Sequence, residues 1–428
     1  LFTMLDIKRI KENPDAVKAG LKAKEVDCDA TVDRILELDV EVRGLKTATE
    51  TATAQKNKLA KENGKLFGQK KGMEKKGEDT SALDAAIEAN KAESIRLDKE
   101  IADDAEKLKT LNAEYRTAML SLPNLPDPDL LPGGKENNEP LRYFGEPHKF
   151  DFPPKHHVDL CTDLGFIDYT RGVKLAGSGF WMYTGLGARL EWALLNYFID
   201  THLADGYEFI LPPHMLGYDC GYVAGQFPKF MDEVYWIENP TSSDKKFMLP
   251  TAETALVNLH RGEILDPAEL PRKYIAYTPC YRREAGSYRA EERGMIRGHQ
   301  FNKVEMVQYT TEEGSDAAFE ELVGKAERLV QELGLHYRLS KLAAGDCSFS
   351  MARTYDIEVW IPSMGIYKEV SSASNARAYQ ARRGAIRYRG EDGKPRFVHT
   401  LNASGLATSR VIPALVEQLQ NADGSVTV

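Results

Sequence analysis

An α+β protein is predicted, in which an antiparallel β-sheet with flanking helices follows an N-terminal antiparallel coiled-coil arm. Two long N-terminal stretches carry apolar residues every three to four positions, and a Pro/Gly-rich break follows them. The remainder is richer in strands than a regular strand–helix alternation, which favours an antiparallel sheet over a parallel one. At 428 residues, 42% hydrophobic and 28% charged, the chain is long enough for two domains. They are expected at 1–120 and 150–428, joined by a linker at 121–149.

Asn13-Pro14-Asp15 sets a capping side chain before a proline at the first helical position, so a short helix is expected through about Lys24. The first long stripe runs through Ile35, Leu38, Val42, Leu45, Ala52, Leu59 and Leu66. The second runs through Leu83, Ile87, Leu97, Ile101, Leu108, Leu111 and Tyr115, after the capping candidates Thr80 and Ser81. Gly64, Gly68, Gly72 and Gly77, among many lysines, are expected to form the turn. Arms of roughly 35 residues at about 1.5 Å each would extend about 50 Å.

From Pro123 to Gly134, four prolines and two glycines interrupted by Asn, Asp and Leu suit neither helix nor central strand and mark the boundary. Beyond it, strands are expected at Tyr207–Leu211, Tyr274–Tyr281, Gln300–Tyr309, Tyr355–Ile361, Ile366–Ser371 and Phe397–Leu401. Helices are expected at Ala188–Leu203, Phe319–Leu333 and Leu406–Leu419.

A formal net charge of −9 excludes a global basic field, so any nucleic-acid contact must use a local patch. The segment from Lys56 to Lys76 is such a patch, with eight lysines against Glu62 and Glu74. It is equally the solvated face of an ordinary coiled coil. Cys28, Cys161, Cys220, Cys280 and Cys347 are widely spaced and odd in number, which suits reduced thiols and offers neither a zinc motif nor a disulfide framework. No apolar run approaches the roughly 18 residues of a membrane span, and no secretion signal opens the chain, so no membrane contact and a cytoplasmic location are expected. Met4, after Leu1, Phe2 and Thr3, reads as a natural start.

Arg282, Arg283, Arg289, Arg293 and Arg297 cluster on two candidate strands and the polar loop between them. Permanently charged planar guanidiniums suit a polyphosphate, although Glu284, Glu291, Glu292 and Glu305 could equally pair them off in a surface hairpin. Taken alone, Phe301 would be a core strand residue and Glu369 part of a solvated face.

Longer patterns decide between these readings. Arg282-x-Glu284, a variable loop, Arg297-Gly-His-Gln-Phe301 and Lys303-Val-Glu305 resemble the second signature motif of class II aminoacyl-tRNA synthetases in its seryl form. His399 to Arg410 resembles the third motif, and Gly206 to Pro213 the first. Pro250-Thr-Ala-Glu253 and Lys368 to Asn375 resemble segments of the seryl branch, and the likeness runs from near residue 13 to about Gln420. The resemblance is to the bacterial and eukaryotic type, which uses no zinc. It implies a homodimer contacting through the first motif, and a ligase that makes seryl-adenylate from L-serine and ATP with Mg²⁺. The acceptor it implies is tRNA(Ser), with tRNA(Sec) as a second.

The resemblance also assigns roles. Arg282 would grip the α-phosphate and Arg410 would lie by the γ-phosphate, the two acting catalytically with Glu369. Phe301 would stack adenine, with Glu284 at its amino group and the Gly298 backbone at its edge; Arg283, Val370 and Ser371 complete the ATP set. Glu369 and Ser372 would hold the Mg²⁺. Thr251, Ala252, Glu253, Arg282, Glu305 and Ser404 would hold serine. Lys61, Lys65, Lys70, Lys71, Lys75 and Lys76 would meet tRNA, whose shape such an arm reads. His299 is expected to be a structural hydrogen-bonder. The third motif usually has glycine where this chain has Ala403 and Ser409, and Pro413 falls inside the last expected helix, where a kink is expected. A paralogue that charges a carrier protein would not need the basic arm. A catalytically dead RNA-binding relative would be expected to lose Arg282, Glu305, Glu369 or Arg410, and all four are present. A duplicate resistant to a serine-adenylate mimic would share every motif.

Overall fold

The computed structural model describes residues 5–238, 245–284 and 294–428, so Arg289, Arg293, Glu291 and Glu292 lie outside the described residues. The chain divides into two compact units. One comprises Ile7–Pro14 and Cys28–Leu122, and the other takes in Asp15–Asp27 and Pro123–Val428.

Two long helices, α1 (Asp29–Glu74) and α2 (Ser81–Ser121), make the first unit. Val32, Ile35, Leu38, Val42 and Ala52 of α1 are buried with Ile87, Leu97, Tyr115 and Met119 of α2, so the apolar stripes face each other. Toward the tip polar ties take over, including an Asn90 to Asn63 amide bond of 3.0 Å. The helices are longer than expected because Gly64, Gly68 and Gly72 lie inside α1 rather than in the turn. Each glycine costs about 1 kcal/mol against alanine. The surrounding lysine, glutamine and leucine favour helix, and α2 alongside supplies the pairing that offsets the cost. Only Gly77, at φ +71°, does the work of a turn. Thr80 stands at the cap of α2 without a side-chain cap bond; the Asp79 carboxylate instead accepts the Ser81 N–H at 3.0 Å.

The second unit is built on an eight-stranded sheet. In chain order its strands are β1 (Glu139–Phe144), β2 (Glu208–Ile210), β3 (Arg272–Tyr281), β4 (Gln300–Thr310), β5 (Tyr337–Lys341), β6 (Arg353–Ile361), β7 (Ile366–Asn375) and β8 (His399–Ala407). Their order across the sheet is β1-β5-β6-β7-β8-β4-β3-β2, antiparallel except where β2 meets β3. Helices α3 (Gly185–Ala204), α4 (Ser315–Glu332) and α5 (Thr408–Gln418) flank it. The core joins Phe198 of α3, Phe319, Leu322 and Leu329 of α4, and Val411 and Leu415 of α5 to Val304, Met306, Ile357, Val359 and Leu401 of the strands. Helix α5 runs through Pro413, which removes only the bond that its N–H would have given to the preceding turn.

Within 121–149 the chain is partly ordered against this unit. The Asn124 amide donates to the carbonyls of Ser350 (2.9 Å) and Ala376 (2.8 Å), and residues 139–144 form the edge strand β1. Segment Pro14–Ala23 is helical, as the capping pattern implies.

Candidate active site

The central strands β7, β8, β4 and β3 floor a solvent-open cleft of about 500 Å³, lined among others by Arg282, Glu284, Gly298, Phe301, Glu369, Val370, Ser404 and Arg410. These residues are up to 128 positions apart in sequence, from 282 to 410, and the antiparallel ladder is what gathers them.

Arg282 follows the last residue of β3. Its Nε donates to the Pro250 carbonyl (3.2 Å), and its guanidinium lies 5.2 Å from the centroid of the Phe301 ring. Arg410, in the first turn of α5, donates from Nη1 to the Glu369 carbonyl (2.9 Å) and carboxylate (3.1 Å), and from Nε to the Ile296 carbonyl (3.1 Å). Burial pushes the Glu369 carboxyl up, but Arg410 and Arg282, with Lys303, outweigh it and hold the group below its ordinary range. The cleft therefore carries fixed positive charge beside an ionised carboxylate.

A bulge explains how Glu369 and Ser372 come to share a side. In a regular strand residues three apart face opposite ways. Here Ser371 pairs with Ile357 and Glu369 with Glu358, so Val370 is extra and the alternation shifts by one. Ser372 Oγ donates to Asp356, whose carboxyl is pushed up by burial and by the charge of Glu369. Two carboxyl groups and a hydroxyl on one side of neighbouring strands are hard oxygen donors, a set that fits a small divalent cation.

Behind the arginines lies a buried polar pocket. Lys303 Nζ donates to Thr251 Oγ1 (2.8 Å) and pairs with Glu305, which is 2% exposed and sits opposite Ser404 in the ladder. Thr251 Oγ1 approaches Glu305 at 3.4 Å and also accepts the Glu253 N–H at 3.3 Å. The Glu253 carboxyl is pushed up to about 7 by burial and then by Glu305, against the pull of Gln380, Lys303 and Arg282. Ala252 is fully buried behind them.

The other expected residues are placed as follows. Gly298 packs under Trp181, whose ring would lie 2.1 Å from a Cβ, so only glycine fits there. His299 Nδ1 donates to the Arg282 carbonyl (3.0 Å), a structural bond. Glu284 pairs with Arg297. Arg283 is not among the cleft's lining; its guanidinium reaches the Asp232 carbonyl (3.0 Å). Ser371 Oγ donates to the Ser404 carbonyl (2.6 Å). On the hairpin, Lys61, Lys65, Lys71, Lys75 and Lys76 are exposed, whereas Lys70 is half-buried and paired with Asp84 (2.5 Å).

Three residues were missed. Lys303 could have been found, since it alternates with Glu305 along β4. Asp356 depends on which residue of β7 it pairs with in the ladder and left no signal. Asn402 shares a strand face with Ser404, and its buried Nδ2 has no hydrogen-bond partner among the described residues.

Sheet topology and cleft together define a class II aminoacyl-tRNA synthetase core. Residues 235–419 match the tRNA synthetase class II core domain (G, H, P, S and T), and residues 4–126 match the seryl-tRNA synthetase N-terminal domain. The chain is 57% identical to serine–tRNA ligase 2 of Clostridium acetobutylicum, over 99% of this chain and 97% of that protein. A crystal structure of seryl-tRNA synthetase from Pyrococcus horikoshii complexed with ATP is similar at a TM-score of 0.89 and 34% identity, covering 99% and 96% of the two chains. The cytoplasmic serine–tRNA ligase of Naegleria fowleri in complex with AMP is similar at 0.82 and 26%, covering 96% and 92%. The chain belongs to the seryl-tRNA synthetase family.

Proposed function

We propose that this protein joins L-serine to the 3′ end of tRNA(Ser) at the expense of ATP, with tRNA(Sec) as a second acceptor. The observation that carries the reading is the juxtaposition of the Arg282–Glu369–Arg410 cradle with the buried Thr251–Lys303–Glu305 pocket.

In this reading adenine stacks on Phe301 beside Glu284 and the Gly298 backbone, with Arg282 at the α-phosphate and Arg410 near the γ-phosphate. Val370 lines the same cleft, and Arg283 and Ser371 complete the ATP set as the chain neighbours of Arg282 and Val370. Glu369 and Ser372, backed by Asp356, would hold Mg²⁺, which supplies charge neutralisation to the phosphates when bound. Serine takes the pocket of Thr251, Ala252, Glu253, Arg282, Glu305 and Ser404, its ammonium and hydroxyl meeting carboxylates. Its carboxylate oxygen attacks the α-phosphorus, and the bond to pyrophosphate breaks with its electron pair leaving on pyrophosphate. A terminal ribose hydroxyl of the RNA then attacks the acyl carbon and AMP departs. No protein nucleophile is required; positioning and fixed charge supply the acceleration.

Alanine would leave the buried carboxylates unpaired, which sites of this kind reject by on the order of 10⁴-fold or more. Threonine is refused by shape, a weaker discrimination of about 1–3 kcal/mol. The exposed lysines Lys61, Lys65, Lys71, Lys75 and Lys76 support a phosphate-reading arm, to which Lys70 contributes by releasing Asp84. Leu186, Trp192 and Leu203 of α3 and Leu211 after β2 are apolar and exposed, which supports a homodimer built on this face. The tRNA acceptor sets the location as cytoplasmic. Among the described residues, no helix is long and apolar enough to cross a membrane.

Pyrophosphate exchange into ATP, screened across the amino acids, tests the reading. Exchange with serine alone, followed by serine esterification of total tRNA, is the expected result. Exchange driven by another amino acid, or none at all, overturns it.

A further inference from the structure

Gln380 lies outside every motif considered above, yet it is fully buried and saturated with hydrogen bonds. It sits in the short helix Tyr379–Gly384. Its Nε2 donates to the Glu253 carboxylate (2.7 Å) and to the Ala224 carbonyl (3.0 Å), and its Oε1 accepts from Thr400 Oγ1 (2.6 Å). The Ala224 carbonyl oxygen can only accept, so the amide cannot be turned round. Thr400 is itself fully buried on β8, on the strand face it shares with Ser404. One side chain thereby ties the segment bearing Glu253 to the strand bearing Ser404.

We propose that Gln380, fixed by Thr400, is a positioning residue that keeps Glu253 oriented and ionised as the acceptor for the ammonium of the bound amino acid. The proposal rests on the reading that serine occupies this pocket. Donation to a carboxylate favours its charged form. The charged groups facing Glu253 are Glu305, which opposes ionisation, and Lys303 and Arg282, which favour it. Burial and Glu305 outweigh these helpers and leave the Glu253 carboxyl at about 7, so near neutral pH its charge hangs on each remaining donor. Without the Gln380 N–H the group stays protonated at neutral pH and cannot balance an ammonium. Raising the pH restores the charge.

Gln380→Met keeps the volume and removes both donors and the acceptor. Pyrophosphate exchange followed between about pH 6 and about pH 8 should show KM for serine raised on the order of tenfold at neutral pH, with the deficit shrinking as pH rises. KM for ATP should stay near the parent value. Thr400→Val, which frees the amide but keeps the shape, should move KM for serine the same way and less, and it decides the matter if Gln380→Met does not fold. An unchanged KM for serine, or a pH-independent loss shared equally with ATP, overturns the proposal. Glu253→Gln separates the two levels of inference. If it leaves KM for serine unchanged, the serine pocket itself is misplaced; if it raises KM while the Gln380 and Thr400 variants do not, only the role of Gln380 falls.

Discussion

Replacing Arg282 by alanine removes a cation that reaches both halves of the site. Its guanidinium lies 5.2 Å from the centroid of the Phe301 ring and is anchored by the Pro250 carbonyl at 3.2 Å. It also pulls the carboxyls of Glu369 and Glu253 down. A unit charge about 4 Å from a phosphate oxygen is worth roughly 4 kcal/mol at an effective dielectric near 20. Loss of a single preorganised donor elsewhere costs about 3–4 kcal/mol, which points to the same size. A fall in kcat/KM for serine-dependent pyrophosphate exchange on the order of 10³-fold is therefore expected. Arg282→Lys should recover part of it, because charge returns without the planar fork. The residual activity of Arg282→Ala should also move to higher pH, since both carboxyls lose a group that favours ionisation. A folded Arg282→Ala protein with near-normal exchange would refute the reasoning.

Phe301→Ala should raise KM for ATP by roughly tenfold, the size of one lost stacking partner, while KM for serine stays put. Reversing the exposed charges with Lys71→Glu, Lys75→Glu and Lys76→Glu should leave exchange intact, weaken tRNA charging and flatten its salt dependence; deleting residues 35–115 should do the same more severely. Equal charging by either protein would remove the arm from RNA binding. Burial lowers His202 and His399 to about 4, aided at His399 by Arg377. As pH falls below the ordinary 6.5, the unfolded chain takes up protons that these buried rings refuse. Stability should then decline by up to about 2–3 kcal/mol per ring and level off below about pH 4. Thermal midpoints against pH, shallower in His399→Gln, check it.

The parts of the fold legible in the sequence are those with strong periodicity or β-branched runs. The long stripes of α1 and α2, and strands such as β3, β4 and β6, bury one face each and so print their pattern on the chain. Strand β1 does not: nearly all its residues are exposed, and it is held by backbone pairing to β5 and by contacts such as Arg142 with Glu327 and Phe144 with Tyr337 that only the packed fold supplies. Glycines of the hairpin misled because a local breaker lost to the opposing helix. Within the site, Arg282, Phe301, Glu305, Glu369 and Arg410 were readable because they stand inside long ordered motifs. Gln380 was not, because its partner Glu253 is 127 positions away and only the packed fold joins them. Asp356 meets Ser372 only through the pairing of β6 with β7, and Glu369 joins them through the bulge at Val370.

A structure of the protein with a non-hydrolysable seryl-adenylate analogue tests the central assignment most directly. The adenine ring should lie on Phe301, the bridging group beside Arg282, and the seryl ammonium and hydroxyl against Glu253, Glu305 and Ser404. An analogue bound elsewhere, or a seryl group turned away from those carboxylates, would contradict it.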